Sequence, residues 1–269
     1  YLNDSVWQDS DAQQAWAEMW QYTAQRYCDN PIVVGYDLMV EPNANEVWLD
    51  EWEPDVFYRE YGGSLYDWNQ LHPRITSAIR EVDPQTPILV GGMGYSSLDW
   101  LPYVEVGDAN RVVAVAHQYE PFSYTHQDES DAIGYPDTFD TNWDGEAEYF
   151  DQSWLEDRFQ VLDAYTQEHQ LPLAINEFGV VRWAPDAVTF LGDQLTLFEV
   201  RGINYAIWIW DSSPEPFAEE ITYFNTRLGP DPQNTTVVEN ELQSVLEAFW
   251  SRNSLRPSQV MVTSEEENP

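Results

Sequence analysis

Five apolar runs alternate with stretches of helical length along this chain, and that alternation limits its fold more than any other feature. The runs lie at 32–40, 87–92, 111–117, 171–176 and 203–210. Short apolar runs bounded by turn residues read as buried strands. Residues 10–28, 64–82, 152–169, 185–200 and 238–252 carry helical signatures. Ser10 or Asp11 is placed to cap the first of these, its period runs through Ala15, Met19, Tyr22 and Ala24 to Arg26, and Asp29-Asn30-Pro31 ends it. Gly62-Gly63 precedes the second helix and Asp83-Pro84 closes it. Strands alternating with helices at this spacing predict an α/β fold with a parallel sheet. Residues 118–150 are polar and aromatic without a clear period and read as a long loop, a type usually functional or disordered.

Composition narrows the partners. The chain has 269 residues, 43% of them hydrophobic, enough for a full core. It carries 13 Trp, 16 Tyr and 11 Phe, a surplus that suits both core packing and a cleft where flat rings stack on sugars. Acidic residues number 48 against 11 basic ones, all Arg, for a net charge of −37. Self-repulsion at this charge destabilises the compact state in dilute buffer, and salt at 1 M shortens the screening length to about 3 Å. A surface rich in Asp and Glu and lacking Lys points to work in concentrated salt. The same charge argues against nucleic acid or an anionic membrane as partner. Cys28 stands alone, so no intrachain disulfide forms, and His72, His117, His126 and His169 are scattered without zinc spacing. No ordered Asp/Asn loop pattern is evident to support a calcium site. No strand is followed by a Gly-rich phosphate loop, and no apolar stretch approaches membrane-spanning length. No signal peptide is visible, and the opening residues read as the interior of a domain, which leaves export open.

Two carboxylates stand at the exits of apolar runs. Residues 32–40 lead into Glu41-Pro42-Asn43, and residues 171–176 lead into Glu177-Phe178-Gly179. A parallel barrel places its chemistry where strands end. Two glutamates presented there are the parts needed to cleave a glycosidic bond.

At these residues the chain resembles glycoside hydrolases of the large (β/α)8-barrel clan, and is most similar to family 5, the cellulases and β-mannanases. The stretch from Gly35 to Pro42 resembles the family's strand-4 motif, whose Glu is the acid/base. His117-Gln118-Tyr119 resembles the His-x-Tyr after strand 6. Ile175-Asn176-Glu177-Phe178-Gly179 resembles the strand-7 motif, whose Glu is the nucleophile. Trp208-Ile209-Trp210 resembles the strand-8 aromatic platform.

The resemblance implies a (β/α)8 TIM barrel of which this chain shows strands 4 to 8, over residues 1–255, followed by an acidic tail at 256–269. An open five-strand sheet exposes two long edges. The first three β/α units are therefore expected in a preceding segment or on a second chain that completes the barrel. The family usually has Asn directly before the acid/base, where it hydrogen-bonds the sugar 2-hydroxyl; here the position is Val40, and Asn43 or Asn45 is the nearest amide to that region.

The implied mechanism is retaining. Glu177 attacks the anomeric carbon, and Glu41 protonates the leaving oxygen and later deprotonates water, with the carboxyls about 5–5.5 Å apart. Their environments must push their pKa values apart. Tyr119 is expected to hold Glu177 in line, and His117 to line the same pocket. Trp208 and Trp210 are expected on one strand face, as sugar platforms. Trp48, Trp52 and Trp143 lie in expected loops and are candidates for outer subsites. Acidic runs such as Asp50-Glu51 and Glu219-Glu220 read as solvated surface. The expectation is a secreted endo-β-1,4-glycanase acting on β-linked polysaccharide without cofactor or metal, cellulose-type glucan first and mannan second. The competing reading is a catalytically impaired carbohydrate-binding protein on the same scaffold. Val40 and the first three strands missing from this chain motivate that reading.

Overall fold

The structure, a computed structural model, describes residues 4–107, 110–210 and 222–253. The described chain divides into two compact units, residues 4–107, 110–116 and 164–174 forming the first, and 117–163, 175–210 and 222–253 the second.

In the first unit, α1 (Ser10–Tyr27) packs on α4 (Trp68–Arg80). Asp9, one residue before the expected caps, closes the start of α1 by accepting the Asp11 N–H at 2.8 Å. Its extended backbone leaves the side chain free to turn back on the helix. The face α1 buries is Gln13, Trp16, Ala17 and Ala24, whereas Met19 and Tyr22 are exposed. The 3.6 period holds but is rotated, because the Gln13 amide donates to Leu65 O at 2.8 Å and is thereby satisfied inside. Helix α4 is capped by Asp67 and buries Trp68, Leu71, His72, Ile75 and Ile79 on one stripe. The short helices α2 (Ala44–Val47) and α3 (Pro54–Tyr61) lie in a stretch where no element is predicted.

Strands β1 (Tyr36–Asp37), β2 (Ile88–Val90) and β3 (Val112–Gln118) run parallel, pairing Tyr36 with Ile88 and Ile88 with Val112. The first strand is far shorter than the expected 32–40. Tyr36 N donates to Pro87 O at 2.9 Å, and the ladder has no rung before it. Ile32 is 85% exposed and Val34 is exposed as well. Apolar identity makes a strand only where a neighbouring backbone answers it.

The sheet order is β1-β2-β3-β6-β7, with β6 at Leu173–Phe178 and β7 at Asn204–Ile207. The last two residues of β3 and the last four of β6 belong to the second unit. That unit resolves the expected 118–150 loop into helix α5 (Phe122–Thr125) and an antiparallel hairpin, β4 (Asp137–Phe139) with β5 (Glu148–Phe150). The expected helix at 152–169 is two, α6 (Gln152–Arg158) and α7 (Gln160–His169). They part at Phe159, whose buried ring stacks on Phe198 of α8 (Ala187–Arg201) at 5.3 Å. Helix α9 (Glu241–Trp250) closes the unit. In a chain without lysine, arginine forks bind the helices. Arg201 reaches Glu156 at 2.8 Å and Asp163 at 3.1 Å, and Arg158 reaches Glu120 at 3.2 Å. The acidic tail and the run Glu219-Glu220 lie outside the described residues.

Candidate active site

In the second unit, β6 presents Glu177 one residue before the strand ends. The Tyr119 hydroxyl donates to Glu177 Oε1 at 2.7 Å. His117 Nδ1 stands 3.9 Å from Oε2, beyond hydrogen-bond range but close enough to feel the charge. The Glu177 side chain is 17% exposed and that of His117 2%. A carboxylate held by a phenol and partly open to solvent is placed for chemistry. The structure thus brings together Glu177, Tyr119 and His117 as expected.

Tyr119 is held in turn. Thr125 Oγ1 donates to its carbonyl, and its ring is walled by Phe122, His126 and Phe224 at 6.2, 5.1 and 5.9 Å. The Phe122 and His126 rings stack at 3.9 Å. Burial pushes the His126 imidazole down to about 4, so it is a neutral ring near pH 7.

Gly179 shows why a glycine closes this motif. A Cβ there would lie 2.4 Å from Trp208 O and 3.0 Å from Phe224 Cδ1. The close approach lets Trp208 N donate to Phe178 O at 2.8 Å. Trp208 therefore leaves β7 beside the end of β6. The expectation that Trp208 and Trp210 share a strand face fails. Strand β7 stops at Ile207, residues 208–210 form a turn, and the Trp208–Ile209 peptide is cis. Trp210 packs against Trp250 of α9 at 5.0 Å with Arg227 over its ring. Its contacts are those of a packing residue.

In the first unit, Glu41 is half-buried and follows β1 on a pinned loop. Ser96 Oγ donates to Val40 O at 3.0 Å, and Tyr95 N to Pro42 O at 3.1 Å. Tyr95 and Ser96 adopt left-handed backbone to make these bonds. Asn43 starts α2 with its side chain uncommitted to the helix. Asn45 is fully buried, donating to Glu51 O and accepting from Gly94 N, so it holds the loop and is unavailable to a sugar. Val40, Trp48, Trp52 and Trp143 are exposed.

Two features escaped the sequence reading. Arg182, 1% exposed, donates to the carbonyls of Thr222, Gly229, Asp231, Pro232 and Asn234. A lone Arg beside Val180-Val181 was the available signal. The β4–β5 hairpin carries Asp140-x-Asn142-x-Asp144-Gly145, the spacing of calcium loops, contrary to the expectation that no such pattern exists. Here the Asp140 carboxylate accepts the N–H groups of Asn142, Asp144 and Gly145 and shapes the turn.

Comparison with known proteins agrees with this architecture. Endoglucanase C of Acetivibrio thermocellus is 22% identical over 253 residues, covering 82% of this chain and 68% of that protein. Two structures of Thermotoga maritima Cel5A superpose on 91% of this chain and 69% of theirs. The one with cellobiose has TM-score 0.64 at 21% identity, and the one with mannotriose has TM-score 0.63 at 20% identity. Fold and match together define a glycoside hydrolase of the α/β, (β/α)8 class. The cellulase profile matches residues 2–214, and the chain belongs to glycosyl hydrolase family 5.

Proposed function

We propose that this protein is a retaining endo-β-1,4-glycanase, with Glu177 as nucleophile and Glu41 as acid/base. The observation that carries the reading is the Tyr119–Glu177 hydrogen bond at the end of β6, with His117 beside it. Glu177 attacks the anomeric carbon while Glu41 protonates the departing oxygen. Glu41 then takes a proton from water as water displaces Glu177 from the sugar. Trp208 floors the subsite where cleavage occurs, Asn43 reaches toward the 2-hydroxyl there, and Trp48 contacts the chain of sugars further out. Cellulose-type glucan is the first substrate. The relative named an endoglucanase and the neighbour bound to cellobiose support it, and the neighbour bound to mannotriose makes β-mannan the second. A secreted enzyme working in salt-rich surroundings suits both a polymeric substrate and the charge of −37.

A second reading, a sugar-binding protein with impaired catalysis, is favoured by Val40 alone, which cannot hydrogen-bond a 2-hydroxyl. Reducing-end release from carboxymethylcellulose and from mannan decides between them. Wild-type cleavage that disappears in Glu177→Ala supports the hydrolase. Binding of either polymer with no cleavage by wild type supports the second reading.

A further inference from the structure

We infer that Arg182 is a positioning residue for the Glu177 centre, acting through Phe224 and Tyr119; this rests on the role proposed for Glu177. Every hydrogen bond of the buried guanidinium, among the described residues, runs to a backbone carbonyl of residues 222–234. Arg182 N also donates to Tyr223 O at 2.9 Å. Burial lowers the guanidinium pKa, yet its place is kept among carbonyl dipoles. One fixed fork thus gathers a segment whose own regular structure, among the described residues, is the helical stretch 222–224 and the turn Thr226–Leu228.

That segment carries Phe224. Its ring is buried against Tyr119 at 5.9 Å and His126 at 4.9 Å, and its edge meets the space beside Gly179. The residues flanking Arg182 bind the opposite side of the same assembly. Val181 N donates to Thr125 O at 2.9 Å, Trp183 Nε1 donates to Gln127 O at 3.0 Å, and Thr125 Oγ1 holds the Tyr119 carbonyl. Three consecutive residues just past Glu177 therefore clamp both loops between which the Tyr119 ring is aimed. A ring walled on several sides has one orientation, and a hydroxyl with one orientation gives a carboxylate a fixed partner.

The test compares Arg182→Lys, Phe224→Ala, Tyr119→Phe and the Phe224→Ala/Tyr119→Phe double variant of the full chain. It uses steady-state kinetics on a soluble aryl β-cellooligosaccharide together with thermal melts. Lysine cannot reproduce a five-bond fork. The expected result is a tenfold or greater fall in kcat with KM within twofold for Arg182→Lys and Phe224→Ala. The double variant should be no slower than Tyr119→Phe alone, since coupled residues are not additive. Phe224→Leu should recover part of the rate. Unchanged kcat in folded Phe224→Ala, or fully multiplicative losses in the double variant, overturns the inference. If Arg182→Lys does not fold, the Phe224 variants decide alone. If Glu177→Gln remains active, the assignment of Glu177 has failed instead.

Discussion

The Tyr119 hydroxyl donates to Glu177 Oε1 at 2.7 Å, whereas His117 Nδ1 stops 3.9 Å short of the other oxygen. The phenol fixes the carboxylate and the imidazole only borders it. A hydrogen bond to a charged group contributes about 1.5–3 kcal/mol. Tyr119→Phe should therefore lower kcat roughly 10- to 100-fold on a soluble β-glucan, by the usual conversion of 1.36 kcal/mol per decade. KM should stay near wild type. A variant with wild-type kcat would remove Tyr119 from the mechanism.

Gly179→Ala tests the close approach of two strand ends. The added methyl meets a backbone oxygen at 2.4 Å, and no side-chain rotation relieves it. Overpacking of this kind costs about 1–3 kcal/mol. Urea denaturation should show that loss, and activity should fall further than stability because Trp208 is displaced. A variant as stable and active as wild type would contradict the geometry.

Val40→Asn restores the residue that the family usually carries before its acid/base. The position is half exposed and its backbone oxygen, not its side chain, holds Ser96. Stability should change by less than about 0.5 kcal/mol. A contact to the sugar 2-hydroxyl strengthens in the transition state, so kcat/KM on β-glucan should rise at least tenfold. No rise would mean that another group already serves the 2-hydroxyl.

His72 gives the first unit a defined response to acid. Burial against Trp68 pushes its pKa down to about 4 from 6.5. The unfolded chain therefore takes up a proton that the folded chain refuses. Stability from this group is complete above the unfolded value, falls as pH drops below about 6.5, and stops falling near 4. Between pH 7 and 5 wild type should lose on the order of 2 kcal/mol more than His72→Gln in urea titrations. Parallel losses would show that His72 does not govern this range.

Salt should stabilise the protein. With 48 acidic and 11 basic residues, self-repulsion opposes the compact state, and screening weakens it. The melting temperature should climb as NaCl is raised from 0.1 M toward 2 M. A flat or falling curve would end the salt-adapted reading.

The order of the strands and the fold class were legible in the chain alone. The apolar runs at 87–92 and 111–117 became β2 and β3 because neighbouring backbones answer them in parallel register, and the run at 171–176 became β6 in the same sheet. The run at 32–40 is as apolar and mostly failed, since pairing begins only at Tyr36. Periodicity reports what a side chain prefers, while a strand is made by the partner across from it. The same limit governs the aromatic residues. Trp208 and Trp210 look equivalent in the chain, yet one lies beside Gly179 and the other against Trp250.

By itself, the sequence determined the alternation of strand and helix and the two glutamates that follow apolar runs, because each rests on local spacing, while the His-x-Tyr that accompanies them came from the resemblance to family 5. Tertiary structure alone decided the 2.7 Å distance at which Tyr119 meets Glu177 across 58 positions, and that Arg182 gathers a segment at least 40 residues away. Contacts at such separations depend on how loops pack after the sheet has formed, and nothing in the neighbouring residues encodes them.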